Sequence, residues 1–252
     1  MYVAGDAWQQ KRERRRTFQS TKGRPMREAT IHPAALVVPV PAFDPSSRLA
    51  SRAAKRALDC LIAAALLIAL LPFLLIVAGL IASERRGQIL YGHGRIGRGG
   101  RPFRCLKFRT MFVDAEARLQ ALLASNPERA AEWAIHRKLD ADPRITPVGR
   151  FLRATSLDEL PQLINVLRGE MSIVGPRPVT AEELLRYGSS ARAYRSVRPG
   201  ITGPWQVSGR NRIGYADRVR LDAGYARDWT VRSDIMLVLR TPSAVLSQRG
   251  AG

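Results

Sequence analysis

An uninterrupted apolar segment from Leu61 to Ala82 constrains this chain more than any other feature. Each of its 22 positions holds an apolar residue, glycine or proline, and a helix of that length is roughly 33 Å long. The hydrocarbon core of a bilayer is about 30 Å thick, so the segment is long enough to cross it. We therefore expect a membrane protein with one anchoring segment.

Two features favour a hairpin that enters and leaves the membrane on the same side. Pro72 lies at the middle of the segment, where it removes a backbone donor and predicts a break in the helix. Both flanks are basic, and the positive-inside rule assigns basic flanks to the cytoplasmic face. A kinked helix that spans the bilayer is the alternative. The flanking bases are Arg48, Arg52, Lys55 and Arg56 before the segment, and Arg85, Arg86, Arg95, Arg98 and Arg101 after it.

The anchor divides the chain into three predicted regions. Residues 1–47 combine a basic run with scattered prolines, which predicts a disordered arm attracted to anionic lipids. Residues 48–86 form the predicted re-entrant hairpin, and residues 87–245 the catalytic domain. Short strands within 89–112 and amphipathic helices after them predict an α+β, predominantly helical domain with helices at the membrane surface. No apolar region follows the N-terminus closely, so no secretory signal peptide is expected.

The charge balance indicates anionic partners. The chain has 41 Lys+Arg against 21 Asp+Glu, a formal net charge of +20. Nucleic acid, lipid headgroups and phosphorylated small molecules all fit such a charge. The two cysteines lie far apart and the three histidines are isolated, so these residues predict neither a disulfide nor a metal site.

An adjacent acid pair, Asp158 and Glu159, opens a helix with an apolar stripe. Taken alone, the pair fits a helix cap, because Ser156 and Glu159 have capping-box spacing. Arg153 precedes the pair and Arg177 is held between two prolines, which favours a functional interpretation. Arginines converging on two carboxylates predict a phosphate held beside a nucleophile or a divalent cation.

Two other basic segments contain candidate substrate-binding residues. Lys107 and Arg109 alternate around Phe108, so we expect both on one face of a strand, and an exposed edge strand is the structural alternative. Arg198 begins a Gly-rich loop that contains Trp205. This loop is expected either to hold phosphate or to lie among lipid headgroups. We take all three basic side chains as candidates for substrate binding.

Six motifs, in order, resemble the bacterial sugar transferases, which are monotopic polyprenyl-phosphate phosphoglycosyl transferases. The resemblance covers roughly residues 52–240, and the wording of the last motif is most similar to members that serve exopolysaccharide synthesis. The motifs are the Pro-broken basic and apolar segment at 55–82, KFRTM at 107–111, DPRITPVGRFLR at 142–153, SLDELPQL at 156–163, GEMSIVGPRP at 169–178 and RPGITGPWQVSGRN at 198–211.

This resemblance implies transfer of a hexose 1-phosphate, glucose or galactose, from a UDP-sugar to polyprenyl (undecaprenyl) phosphate with release of UMP. It implies that Asp158 is the nucleophile of a covalent phosphosugar intermediate and that Glu159, with Asp158, binds Mg²⁺. Arg153 and Arg177 match phosphate or nucleotide contacts. The resemblance also implies a re-entrant helix in the bacterial inner membrane, with the catalytic domain on the cytoplasmic face. Leu71 departs from the serine that often precedes the breaking proline in this family.

Two other functions remain open at the level of sequence. A phosphodiesterase would release sugar phosphate from a nucleotide sugar without a lipid acceptor. A membrane-tethered basic module would bind anionic lipid or nucleic acid. We do not expect nucleic acid as a partner, because the basic residues are interspersed with acids and prolines. The sequence leaves the oligomeric state open, a homodimer included.

Overall fold

A single helix, α1 (Pro45–Ser83), contains the whole apolar segment. The structure is a computed structural model that describes residues 45–84, 87–136, 139, 142–209 and 214–246. The arm predicted for residues 1–47 therefore lies outside the described residues, apart from the first positions of α1. Pro45 suits the first turn of a helix, where its missing N–H is not needed. The Ala- and Leu-rich sequence that follows has high helix propensity.

The predicted break at Pro72 is not confirmed, because α1 continues through this residue. A proline removes only one backbone hydrogen bond, to the carbonyl of Ile68, and the apolar helix formers on both sides keep the others. The helix is long and apolar enough to cross a membrane, and an 18-residue window within it has a mean hydropathy of 3.1. Its side chains are largely exposed, Leu61 by 69% and Ile68 by 75%, whereas a core helix of a water-soluble domain would bury them. These observations fit membrane association.

The two halves of α1 pack against different parts of the rest of the protein. Before Pro72, Ala63 is fully buried in a cluster with Leu163 and Val166. Beyond Pro72, Val77 and Ile81 are buried against Phe108 and Leu152. One face of the helix is therefore covered along most of its length, and the opposite face is exposed.

Polar contacts fix both ends of the apolar segment. At the N-terminal end, Lys55 Nζ donates to Asp234 Oδ2 at 2.6 Å, and Asp59 Oδ1 accepts from the Ile173 N–H at 3.0 Å. At the C-terminal end, the Val148 N–H donates to Glu84 Oε1 at 3.2 Å. Both flanks are thus bonded to the same folded body.

The predicted strands within 89–112 are confirmed as an antiparallel hairpin of β1 (Leu90–Ile96) and β2 (Pro102–Phe108). The amphipathic helices predicted next are also confirmed. Asn126 accepts from the Arg129 N–H at 3.1 Å, as expected of an N-cap residue. The helices up to the acid pair and beyond it are α2 (Ala115–Ser125), α3 (Pro127–His136), α4 (Pro147–Ala154) and α5 (Gln162–Leu167).

A short parallel pair, β3 (Ser172–Val174) and β4 (Gly200–Thr202), lies at the centre of the second half of the chain. Glycine is required where the segments after these strands meet, because a Cβ at Gly175 or Gly203 would collide with backbone atoms. This close approach brings the proline-flanked Arg177 beside the loop that follows β4. The remaining helices are α6 (Ala181–Leu185), α7 (Ala191–Ser196), α8 (Pro204–Val207), α9 (Tyr215–Asp228) and α10 (Val231–Leu246).

Candidate active site

The acid pair lies in a short 3₁₀ turn, Leu157–Glu159, between α4 and α5. Ser156, which precedes the turn, has left-handed backbone angles (φ 58°, ψ 17°) and makes no capping hydrogen bond with its side chain. A capping residue needs extended backbone, so the capping-box interpretation of Ser156 and Glu159 is wrong. Among the described residues, Ser156 is the only non-glycine residue with positive φ. Such strain persists only where the surroundings impose it, and it is common at functional sites.

Lys107, near the end of β2, is held between the two acids. Its Nζ lies 2.7 Å from Glu159 Oε1 and 3.5 Å from Asp158 Oδ2. Burial raises the pKa of Asp158, which has 11% of its side chain exposed, and the positive charge of Lys107 opposes this rise. Burial disfavours the ammonium form of Lys107, but the two carboxylates raise its pKa overall. Lys107 therefore helps to keep a buried carboxylate ionised.

Arg153, in the last turn of α4, interacts electrostatically with Asp158. Its Nε donates to Thr110 Oγ1 at 2.8 Å, which fixes the guanidinium. Burial lowers the pKa of Arg153, and the negative charge of Asp158 opposes this change. Arg153 in turn lowers the pKa of Asp158. The predicted association of Arg153 with the acid pair is thus electrostatic.

Arg177 belongs to the same site. Its guanidinium stacks on the indole of Trp205, a contact that the sequence did not predict. Its guanidinium lies 4.9 Å from the ring centre of Trp205, and Arg218 lies 5.1 Å from that ring. Trp205 is buried, so the alternative that placed it among lipid headgroups is wrong. Burial lowers the pKa of Arg177, and the charge of Glu159 opposes this effect. A cation stacked on an aromatic face is preorganised at little entropic cost.

A cleft of about 590 Å³ beside the acid pair is lined by both charged and apolar residues. The charged ones are Arg95, Lys107, Glu159 and Arg177. Asp158 lies next to Glu159, outside this lining. The apolar ones come from α1, from α10 and from the segments that contain the acid pair and β4. They include Ile62, Leu66, Val238, Pro242, Leu160 and Ile201.

Two of the predicted substrate-binding residues are not brought to the acid pair. Arg109 follows the end of β2, so the strand alternation does not extend to it, and its Nη2 donates to the Ile81 carbonyl at 3.4 Å. The Nε of Arg198 donates to the Gly169 carbonyl at 2.7 Å, and its side chain borders a different cavity. Substrate binding by these two residues stays a prediction. Arg95 and Arg218 join the site instead, and only the three-dimensional packing identifies them.

The two carboxylates of the acid pair have the oxygen ligands that Mg²⁺ prefers. Within the part of the chain that the structure describes, no group of three or more His, Cys, Asp or Glu side chains is arranged to hold a metal. Mg²⁺ is often bound by one or two carboxylates that leave its other positions to water and substrate phosphate. Asp158 and Glu159 could provide these one or two carboxylates.

Comparison with known proteins identifies the family of this chain. The model of the bacterial sugar transferase family matches residues 50–248. The exopolysaccharide production protein ExoY of Sinorhizobium fredii is 52% identical over 197 residues, which are 78% of this chain and 87% of that protein. The undecaprenyl-phosphate galactose phosphotransferase of Salmonella typhimurium is 46% identical over 81% of this chain and 43% of its own length.

A more distant relative is the UDP-glucose:undecaprenyl-phosphate glucose-1-phosphate transferase of Escherichia coli, which is 36% identical over 80% of this chain and 42% of its own length. The chain thus spans most of ExoY but less than half of the two longer relatives. The matched region includes the apolar segment of α1, the acid pair and the arginines around the cleft. On these grounds the chain is an enzyme that belongs to the bacterial sugar transferase family.

Proposed function

We propose that this enzyme transfers a hexose 1-phosphate from a UDP-sugar to polyprenyl phosphate and releases UMP, with Asp158 as a covalent nucleophile. The proposal fits a first membrane step in exopolysaccharide or glycoconjugate synthesis. The observation that carries it is the cleft beside the acid pair, whose lining combines cationic and apolar residues. The cationic residues suit the phosphates of both substrates, and the apolar residues suit a prenyl chain.

In the first step an oxygen of Asp158 attacks the phosphorus that bears the sugar. The bond from that phosphorus to the UMP oxygen breaks, and UMP leaves with the electron pair. In the second step an oxygen of the polyprenyl phosphate attacks the same phosphorus and the acyl-phosphate bond breaks, which regenerates the Asp158 carboxylate. Arg177 and Arg153 stabilise the negative charge on the transferred phosphate. Lys107 favours the ionised state of the attacking carboxylate.

Mg²⁺ is the cofactor that we propose, held by Glu159 and Asp158. When bound, it supplies positive charge to the phosphate oxygens of the donor. We expect Glu159→Gln to lower turnover and to raise the Mg²⁺ concentration needed for half-maximal activity, because one anionic ligand is lost. Glu182→Gln, on an exposed surface, is the matched control. An unchanged Mg²⁺ titration for Glu159→Gln would remove this residue from the metal site.

We also propose that α1 enters and leaves the bilayer on the cytoplasmic side of the bacterial inner membrane. The support is that both flanks of the apolar segment bond to one folded body, whereas a simple span would carry them to opposite faces. Basic residues on both flanks agree with this topology. The variant Gln88→Cys tests this topology. Labelling of position 88 by an impermeant reagent from the periplasmic side would show instead that α1 spans the bilayer.

The covalent mechanism is tested with Asp158→Asn in the full chain, in detergent or in nanodiscs. We expect UMP release to fall by at least about 10³-fold and transfer of labelled sugar phosphate to the enzyme to disappear, because an amide is a poor nucleophile. Asp228→Asn removes an exposed carboxylate and should keep both signals. Normal turnover by Asp158→Asn would exclude the mechanism.

A panel of UDP-sugars, assayed with and without polyprenyl phosphate, tests the substrates. We expect UDP-galactose or UDP-glucose to support the fastest UMP release. The sequence identities favour galactose, since the relative named for galactose transfer is 46% identical and the one named for glucose transfer 36%. Release of free sugar phosphate without a lipid acceptor would instead indicate a phosphodiesterase.

A further inference from the structure

A second cavity, of about 600 Å³, lies outside the catalytic cleft and shares no lining residue with it. It is formed by the turn between β1 and β2, the turn before β3, the end of α7 and the start of α1. We call it the arginine cavity after its six arginines. These are Arg52, Arg98, Arg101, Arg168, Arg195 and Arg198.

Among the described residues, none of the six arginines forms an ion pair with a carboxylate. Glu170 is the single acid in the lining, and it accepts a hydrogen bond from Asn165 Nδ2 at 2.6 Å. The lining therefore has an excess of five positive charges. Converging like charges repel, so this arrangement costs stability unless an anion neutralises it.

Arg198 is held in place within the cavity, whereas the other five arginines are exposed. Its side chain is half-buried, and its Nε is held by the Gly169 carbonyl at 2.7 Å. Burial lowers its pKa, and the neighbouring positive charges of Arg98 and Arg56 lower it further. A guanidinium held in place by its Nε can present its two terminal nitrogens as a fork for two phosphate oxygens.

We propose that the arginine cavity binds a phosphate group, at a site separate from the catalytic cleft. Its location favours the headgroup of an anionic lipid as the source. Arg52 lies on α1 nine residues before the apolar segment, and Leu49, one turn earlier on the same face, is 66% exposed. An exposed apolar side chain next to basic ones suits a headgroup together with the start of an acyl chain.

Binding is measured without any sugar substrate, so the result does not depend on the transferase reaction. The purified full chain in a neutral detergent is titrated with phosphatidylglycerol, with phosphatidylcholine, or with inorganic pyrophosphate as the free phosphate. The rise in melting temperature with ligand concentration gives an apparent dissociation constant. We expect phosphatidylglycerol to stabilise the protein, phosphatidylcholine to have little effect, and added salt to weaken the stabilisation.

The test variant is Arg98→Gln/Arg195→Gln, since both residues are exposed and outside the catalytic machinery. We expect about tenfold weaker binding of phosphatidylglycerol. The matched control, Arg104→Gln/Arg150→Gln, removes the same charge from exposed positions elsewhere and should bind as the unmodified chain does. The lysine pair Arg98→Lys/Arg195→Lys keeps the charge but loses the fork, so we expect intermediate affinity.

The outcomes separate the two sources of phosphate. If phosphatidylglycerol binding depends on Arg98 and Arg195, the ligand is a lipid headgroup. If pyrophosphate shows this dependence and phosphatidylglycerol does not, the site is retained with a free phosphate as its ligand. Equal responses of the test and control variants, or equal stabilisation by phosphatidylcholine and phosphatidylglycerol, would overturn the proposal.

Discussion

Two lysine–carboxylate clusters in this enzyme are similar in composition but differ in how completely their atoms are paired. In the anchor cluster, Lys55 Nζ lies 2.6 Å from Asp234 Oδ2 and donates to the Val174 carbonyl at 3.0 Å. Asp234 Oδ1 accepts from the Tyr225 hydroxyl at 2.8 Å. In the acid-pair cluster, Lys107 Nζ is 3.5 Å from Asp158 and closer to Glu159.

The comparison of the two clusters shows that burial alone does not identify a reactive carboxylate. Burial raises the pKa of both Asp158 and Asp234, and in both cases the neighbouring lysine opposes the rise. The anchor cluster uses its charges to join α1, β3, α9 and α10, so it stabilises the fold. The acid-pair cluster follows a strained residue and borders a cleft, so its looser pairing leaves a carboxylate oxygen for chemistry.

Replacing one carboxylate in each cluster should separate stability from activity. We expect Asp234→Asn to lower the stability by about 3 kcal/mol, because the largely buried charge of Lys55 loses its partner at 2.6 Å and keeps only Asp59, at 4.0 Å. For a chain of this size that is a fall in melting temperature of roughly 10 °C. Asp158→Asn should change the melting temperature little, since Lys107 keeps its closer ion pair with Glu159 at 2.7 Å. Differential scanning fluorimetry in detergent measures both variants.

The folded fraction of Asp234→Asn should keep near-normal turnover below its melting temperature, in contrast to Asp158→Asn. Asp228→Asn controls for the loss of a carboxylate at an exposed position. The distinction between the clusters fails if Asp234→Asn is inactive but as stable as the unmodified chain.

The sequence predicted much of the fold because its signals are local. Apolar length identified the long helix α1, and turn residues and periodicity identified the β1–β2 hairpin and the two helices after it. The effect of Pro72 was not predictable in the same way. The loss of one hydrogen bond competes with packing on both sides of the proline, and Ala63 before it and Val77 beyond it are both buried. Such tertiary packing is not visible in a local pattern.

The site was predicted less completely, because it depends on contacts between distant segments. Asp158, Glu159, Lys107 and Arg177 do come together, and their charge made them recognisable in the sequence. The stacking of Arg177 on Trp205 depends on the close approach of two glycine-containing turns. Strand alternation suggested that Arg109 would join Lys107, but β2 ends at Phe108. A spacing rule holds only as far as the element that produces it.

The acid-pair cluster should show its function in the pH dependence of the reaction. Because the charge of Lys107 lowers the pKa of Asp158, Lys107→Met should raise that pKa further. The nucleophile must be ionised, so the acidic limb of the kcat/KM profile should move to higher pH, with about tenfold lower activity at pH 7. Arg104→Met, an exposed change on the same strand, should leave the limb in place. An unshifted limb for Lys107→Met would mean that Lys107 does not govern the ionisation of Asp158.

The smallest effect concerns the strained turn that only the acid-pair cluster has. At Ser156 the left-handed backbone costs about 1 kcal/mol or more for a residue with a Cβ, and glycine removes that cost. We therefore expect Ser156→Gly to raise the melting temperature by about 2–4 °C. Ser190→Gly is the matched control, because Ser190 has ordinary right-handed angles (φ −72°, ψ −13°), so glycine relieves no strain there and should lower the stability slightly. If strain at Ser156 holds Asp158 in position, Ser156→Gly should be more stable and yet turn over a few-fold more slowly.

A variant that is more stable and fully active would show that the turn is strained without serving catalysis. One that loses stability as Ser190→Gly does would show that the two clusters differ in their pairing alone.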